Sequence, residues 1–282
     1  MADAKITFDK DKVPPVPSSF PAEAPDPEDP QYVLELFDFD GSQAEFRFNA
    51  GAGYLTVMKA TMGWERIVLA SAVTGNPNAY MQLWKVPRNA PQNVAGKLTD
   101  LLPTTLEHYQ NFVTRTSRME RIVLEGLPYD PQHGTDRRER SALVGIPVDP
   151  KLTLAQHEEL PAEHHIREFT KTETIMLVRV SVRDGAMPRL IYAKESFFVP
   201  TVTEEGIPEA ERELNWTLQF GGYVASNTSP GATIFNCWKL PDSASLVRAM
   251  VKLAHNSIYG DYVAPCVVRE DQNLYSVISG AS

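Results

Sequence analysis

Trp84-Lys85-Val86-Pro87 and Trp238-Lys239-Leu240-Pro241 are one phrase written twice, and what surrounds them decides how the chain is read. The four tryptophans fall into two matched pairs. Gly63-Trp64 opens the apolar run Arg66-Ile67-Val68-Leu69-Ala70-Ser71, and Trp84 follows. Asn215-Trp216 opens a second run, Leu218 to Val224, and Trp238 follows. Trp216 lies 152 positions after Trp64, and Trp238 lies 154 after Trp84. Between them, Pro77 and Ala79 match Pro230 and Ala232 at 153. Further out, Asp40-Gly41 matches Asp184-Gly185, and Leu106-Glu107-His108 matches Leu253-Ala254-His255. Such a repeated order predicts two copies of one unit.

Each copy reads as the same series of elements. A strand (Tyr32–Phe39 or Thr174–Val182) meets Asp-Gly, the strongest short hairpin signal. A second extended piece follows, at Glu45–Phe48 and at 189–198. Next come a helical segment (Gly53–Met62 or Ile207–Leu214), a Trp-led strand and a strand ending near the second Trp. A helix then carries an apolar face (Leu98, Leu102, Leu106, Tyr109, Phe112 and Val113 in the first copy), and a last strand closes the unit. Without the hairpin arm this is β-α-β-β-α-β, the ferredoxin-like order. The expected class is α+β, with two tandem ferredoxin-like halves, each bearing an extra hairpin arm on antiparallel sheets. The expected division is a Pro-rich extended arm at 1–31, one half at 32–124, a linker at 125–173 and the other half at 174–282. Each half leaves one sheet face bare, so the pair must pack sheet to sheet or join edges.

This element order, with a Trp at the end of the third strand, resembles the dimeric α+β barrel superfamily. That group includes the NIPSNAP, EthD and antibiotic-biosynthesis monooxygenase families. The resemblance covers residues 32–124 and 174–278. It implies a small apolar or aromatic ligand in a cavity, with cofactor-independent oxidation, cyclisation or isomerisation as the chemistry. The hairpin arm departs from the family pattern.

Composition narrows the partners. With 282 residues, 43% of them hydrophobic, the chain can bury a substantial core; a net charge of −9 argues against nucleic acid. The first residues lack the apolar core of a secretory signal, and no run of about 20 apolar residues could span a bilayer. Only Cys237 and Cys266 are present, expected as free thiols in a reduced, cytoplasmic protein.

Period-two alternation puts Tyr80, Gln82 and Trp84 on one strand face, and Ile234, Asn236 and Trp238 on its counterpart. If that face is the bare one, these residues line a ligand cavity; otherwise the tryptophans are core. Lys85 and Lys239 fall on the opposite face, where their stems cover apolar surface and their amines stay wet. His108 and His255 recur at the helix flanks, as packing groups or as proton-transfer candidates. His157, His164 and His165, with nearby glutamates, could hold a divalent ion, but their spacing fits no metal signature and a solvated loop explains them. No metal site or cofactor is expected. No Walker motif, nucleophile elbow or dinucleotide fingerprint stands out. The leading expectation is a small-molecule binding protein or cofactor-independent tailoring enzyme forming a homo-oligomer. The residues do not decide whether it is an enzyme. The alternative is a non-catalytic assembly protein that oligomerises through its N-terminal arm and exposed sheet edges.

Overall fold

The first strand, Gln31–Phe39 (β1), alternates Leu34 and Leu36 on one face with Val33, Glu35, Phe37 and Phe39 on the other. Most of both sets are buried, so both faces of the strand are covered. The computed structural model describes residues 31–87, 98, 100–125, 169–184, 186, 216–224, 233–247, 251 and 264–280.

Asp40-Gly41 does not turn a hairpin. Ser42 instead caps a helix, Gln43–Phe48 (α1): its Oγ accepts from Glu45 N at 3.2 Å, while Glu45 Oε2 accepts from Ser42 N at 2.9 Å. This reciprocal capping satisfies two backbone donors that a hairpin would leave to other partners. The extended piece expected at Glu45–Phe48 is therefore helical, and the first half has no hairpin arm there. The matching piece at 189–198 lies outside the described residues. A π-helical segment, Asn49–Leu55, continues into Thr56–Met62 (α2), which ends on Gly63 in the left-handed conformation at φ 68°.

Glu65–Ala72 (β2) and Ala79–Val86 (β3) follow, then the helix Pro103–Arg115 (α3) and Thr116–Glu125 (β4). The helix begins at Pro103 rather than Leu98, because proline suits the first helical turn and disrupts an interior one. The second half supplies Thr174–Val182 (β5), Thr217–Val224 (β6), Thr233–Leu240 (β7) and Val267–Ser279 (β8). The helix expected at 207–214 lies outside the described residues.

The strand order β4-β1-β3-β2 is ferredoxin-like, and β8-β5-β7-β6 repeats it. The halves join edge to edge, β2 to β8 through Leu69↔Ser279 to Ala72↔Tyr275, and β4 to β6 through Leu124↔Val224. The result is one closed, fully antiparallel barrel of eight strands. The α+β class and the tandem ferredoxin-like halves are as expected; of the two ways to cover a bare face, the chain uses edge joining. Each of these eight strands has a neighbour on both sides, so the closed sheet has no edge strand among the described residues to serve the assembly alternative, although β4 and β6 register only at Leu124↔Val224 and Glu125↔Tyr223.

The halves match in finer detail too. The register slips between Arg66 and Val68 against β3, and between Leu218 and Phe220 against β7. It slips again at Asp38/Phe39 and at Ser181/Val182, on equivalent strands. Bulges at the same positions bend both sheets alike, which closure requires.

The barrel interior is filled by Leu34, Val68, Met81, Leu83, Ile122, Ile175, Leu177, Phe235 and Cys237, among others. Burial pushes the Cys237 thiol well above its ordinary pKa, and neither cysteine forms a disulfide. At one mouth Glu120 and Arg179 form an ion pair at 3.0 Å, reaching from one half to the other. At the other mouth Lys239 pairs with Glu173, its stem lying on the interior face opposite Ile175, as expected of it. A second layer packs the π-helical segment, α2 and α3 against the outer face of the first sheet.

Two outcomes test this packing. A Cβ at Gly53 would lie 2.4 Å from the His108 backbone carbon, whereas one at Gly51 would meet nothing within 4 Å. Gly53→Ala should therefore cost about 3 kcal/mol in chemical denaturation, and Gly51→Ala should be neutral or gain about 0.5 kcal/mol. The second outcome concerns pH. Burial works against the Glu173 charge, but the bonds from Lys239 and Thr170 N prevail and hold its pKa below 4.5. Its contribution is thus present above that value and lost as pH falls through the folded pKa. Glu173→Gln should be less stable by about 1 kcal/mol at neutral pH, with the gap closing in acid.

Candidate functional site

The face that alternation assigned to Tyr80, Gln82 and Trp84 is not the barrel interior. The interior takes Met81 and Leu83, and the three candidates point outward under the helices. Alternation groups residues by face but does not say which face the helices cover. Tyr80 is 1% exposed and stacks on Phe46 with ring centres 3.6 Å apart, so it is part of an aromatic core. Gln82 and Trp84 are fully buried too; Trp84 packs in the same core as Tyr80, and both residues also bond a polar group.

Between sheet and helices lies a carboxylate, Glu35 of β1, with no solvent exposure. Its Oε1 accepts from Tyr54 Oη at 2.8 Å and from Arg121 Nε at 2.8 Å. Its Oε2 accepts from Gln82 Nε2 at 2.7 Å and from Trp84 Nε1 at 2.8 Å. Register explains the meeting: Arg121 of β4, Glu35 of β1 and Gln82 of β3 are direct cross-strand neighbours, with Trp84 two residues further on. Tyr54 arrives from above, on the π-helical segment that Gly53 seats against α3. Arg121 Nη2 also donates to Tyr54 Oη at 3.0 Å, closing a triangle.

The electrostatics follow from this geometry. Burial raises the Tyr54 pKa well above 10.0 and the Glu35 charge raises it further, so its phenol stays protonated and donates. Burial opposes the Arg121 charge, but Glu35 and Tyr54 prevail and leave it above its ordinary value. Glu35 is sealed, yet the Arg121 side chain is 45% exposed, so the cluster reaches solvent through its guanidinium. Aromatic rings surround the group. Tyr109 lies parallel to Tyr54 at 6.1 Å, Trp84 meets Trp64 edge-on at 5.8 Å, and the Arg121 guanidinium lies 5.3 Å from the Trp64 ring centre.

Other expected site residues are placed as follows. Asn236 and Trp238 are buried on the equivalent face of β7, with Trp238 tilted against Trp216 at 6.2 Å. Their neighbours differ: Val178 occupies the register position of Glu35, and Gln272 that of Arg121. His108 is half-buried, with Nδ1 3.1 Å from Asn49 Oδ1 and its ring edge-on to Phe48 at 4.6 Å. The neighbouring Tyr109, one step round the helix, is the residue that faces the Glu35 group. His255, His157, His164 and His165 lie outside the described residues. Among the described residues, no group of three or more His, Cys, Asp or Glu could hold a metal ion, and no helix is long and apolar enough to cross a membrane.

Glu35, Tyr54, Arg66 and Arg121 are not singled out by any motif or repeat in the sequence. The available signal was a lone carboxylate in the stripe Val33-x-Glu35-x-Phe37-x-Phe39, and a lone arginine in Met119-x-Arg121-x-Val123. A charge inside an apolar stripe needs a partner on the adjoining strand.

No family model matches the chain. No curated protein matches it either. Among solved structures it is similar to an anthrone oxidase-like protein, at 10% identity over 90% of this chain and 93% of the other, with a TM-score of 0.47. A mutant chlorite dismutase from Candidatus Nitrospira defluvii is 8% identical over 88% and 91%, with a TM-score of 0.46. A DypB variant from Rhodococcus jostii in complex with heme is 10% identical over 90% and 94%, with a TM-score of 0.44.

Stepwise removal of its charges tests the cluster. Arg121→Gln strands a buried carboxylate and should cost about 3 kcal/mol, the low end for a broken buried pair because three donors remain. The double variant Glu35→Gln/Arg121→Gln removes both charges while keeping an amide oxygen at position 35 for the buried donors, and should recover about half of that loss in urea unfolding. No recovery would mean that the two residues do not act as a pair.

Proposed function

We propose that this chain is a small-molecule binding protein or cofactor-independent tailoring enzyme whose site lies between the first sheet and its helices. The observation that carries this reading is the asymmetry of the halves. They repeat strand order, bulges and tryptophans, yet only the first holds the Glu35–Arg121–Tyr54 group. A fold that closes with Val and Gln at these positions does not need the charges for stability. Buried, mutually bonded polar groups ringed by Trp64, Trp84 and Tyr109 match the composition of a small-ligand site: aromatic walls with a few fixed polar atoms. The favoured ligand is aromatic and largely apolar. If the protein is an enzyme, Tyr54 serves as a neutral donor and Glu35 as its acceptor. His108, held by Asn49, is a secondary candidate for proton transfer, as is His255.

The paired architecture also leads us to infer an internal duplication, with later divergence of the two outer faces. A cytoplasmic setting rests on two cysteines that form no disulfide. Since these eight strands close on one another, a homo-oligomer would pair through surfaces other than an open edge strand of this sheet.

The test compares equivalent tryptophans. Indole, phenol and coumarin are titrated into the full chain while intrinsic fluorescence and affinity are followed. Trp84→Phe, which removes the Nε1 donor, should weaken binding about tenfold, and Trp238→Phe should leave affinity unchanged. Failure of all three compounds to bind, or a loss confined to Trp238→Phe, would overturn the assignment.

A further inference from the structure

Arg66 is the second charged residue buried on this face, and it is the one the Glu35 group leaves over. It is 5% exposed, and its only hydrogen bond among the described residues is from Nη2 to Ser279 Oγ at 3.2 Å. Its Nε and Nη1 have no partner among those residues. Two residues back on the same strand face, Trp64 is also 5% exposed, and its Nε1 too is unpartnered. Arg66 stands opposite Trp84 in the β2–β3 register, on the helix-covered face, and its guanidinium reaches Ser279 on the neighbouring strand β8.

An arrangement of this kind calls for an anion. A guanidinium presents five N–H donors in a flat fork and cannot shed its charge cheaply. Buried charges are paired in nearly every fold, and an unpaired one costs several kcal/mol, roughly. Arg121, two strands away, shows the ordinary solution, since Glu35 neutralises it. Among the described residues no carboxylate does this for Arg66, and burial lowers its pKa to about 10. Nor does the fold require an arginine here, because Leu218 holds the same register position against Trp238 in the second half. The indole donor recurs there as Trp216 Nε1, also unpartnered, but the guanidinium does not. The positive charge is therefore what distinguishes the first half at this point.

We infer that Arg66 and Trp64 form the anchor for the carboxylate of a small aromatic acid, whose ring lies against Trp64 and Trp84. A carboxylate can accept from the guanidinium with one oxygen and from an indole N–H with the other. The inference rests on the ligand site proposed above and names the charge its occupant carries.

The experiment is isothermal titration of the full chain with benzoate and with benzamide, its neutral counterpart of nearly equal shape. Benzoate should bind at least about tenfold more tightly than benzamide. Arg66→Leu, which copies the second half, and Arg66→Met, which keeps side-chain length, should both fold. Both should melt no lower than the parent, since they remove an uncompensated charge, and in both the ratio of benzoate to benzamide affinity should fall to about one. Equal affinity for the two probes in the parent chain, or a benzoate preference that survives in both variants, would overturn the inference. If neutral aromatics still bind in a Trp84-dependent way, the inference alone has failed. If no aromatic compound binds, the ligand site fails with it.

Discussion

Closure of the sheet is the constraint from which the other features follow. A ferredoxin-like half has one apolar face without helices and two free edges, and neither is tolerated in water. Joining β2 to β8 and β4 to β6 removes both problems at once. Among the described residues one seam holds four registered pairs and the other two. Their stability therefore comes from what they enclose more than from their own hydrogen bonds. The enclosed side chains fill the barrel, and an interior packed with Leu34, Met81, Leu83, Leu177 and Phe235 leaves chemistry to the outer, helix-covered face.

On that outer face the two halves differ. The bulges and the Trp pairs are the same in both, because they shape the sheet. The charges are not the same. Glu35, Arg66 and Arg121 stand where the second half has Val178, Leu218 and Gln272. Desolvating a charge is expensive even when it is paired, and a well-packed apolar residue at the same point often does as well for stability. The second half is an internal control built on the same backbone. Three costly residues gathered around Trp64 and Trp84 therefore support a role in binding over a role in folding.

The architecture was legible in the sequence because tryptophan is rare and its spacing is hard to repeat by accident. Strand limits came from alternation, and β5 matches its expected span, Thr174–Val182. Two features were hidden for physical reasons. Alternation shows that Tyr80, Gln82 and Trp84 share a face, but both faces of a closed, helix-covered sheet are apolar, so it cannot say which looks inward. The Asp40-Gly41 turn signal also competed with the Ser42–Glu45 capping box, and the box prevailed because its bonds are local and reciprocal. The Glu35 group was missed because its members come from four elements whose register is set only by folding. Its trace in sequence is two charges of opposite sign, each alone in an apolar stripe.

The claim that most needs a direct look is that ligands enter the helix-covered face of the first half. A crystal of the full chain soaked with 4-bromobenzoate would decide it, because anomalous scattering from the bromine marks the ring without ambiguity. A peak is expected beside Trp64 and Trp84, with the carboxylate on the Arg66 guanidinium. A peak inside the barrel or next to Trp238, with the Arg66 guanidinium still bare, would contradict the claim.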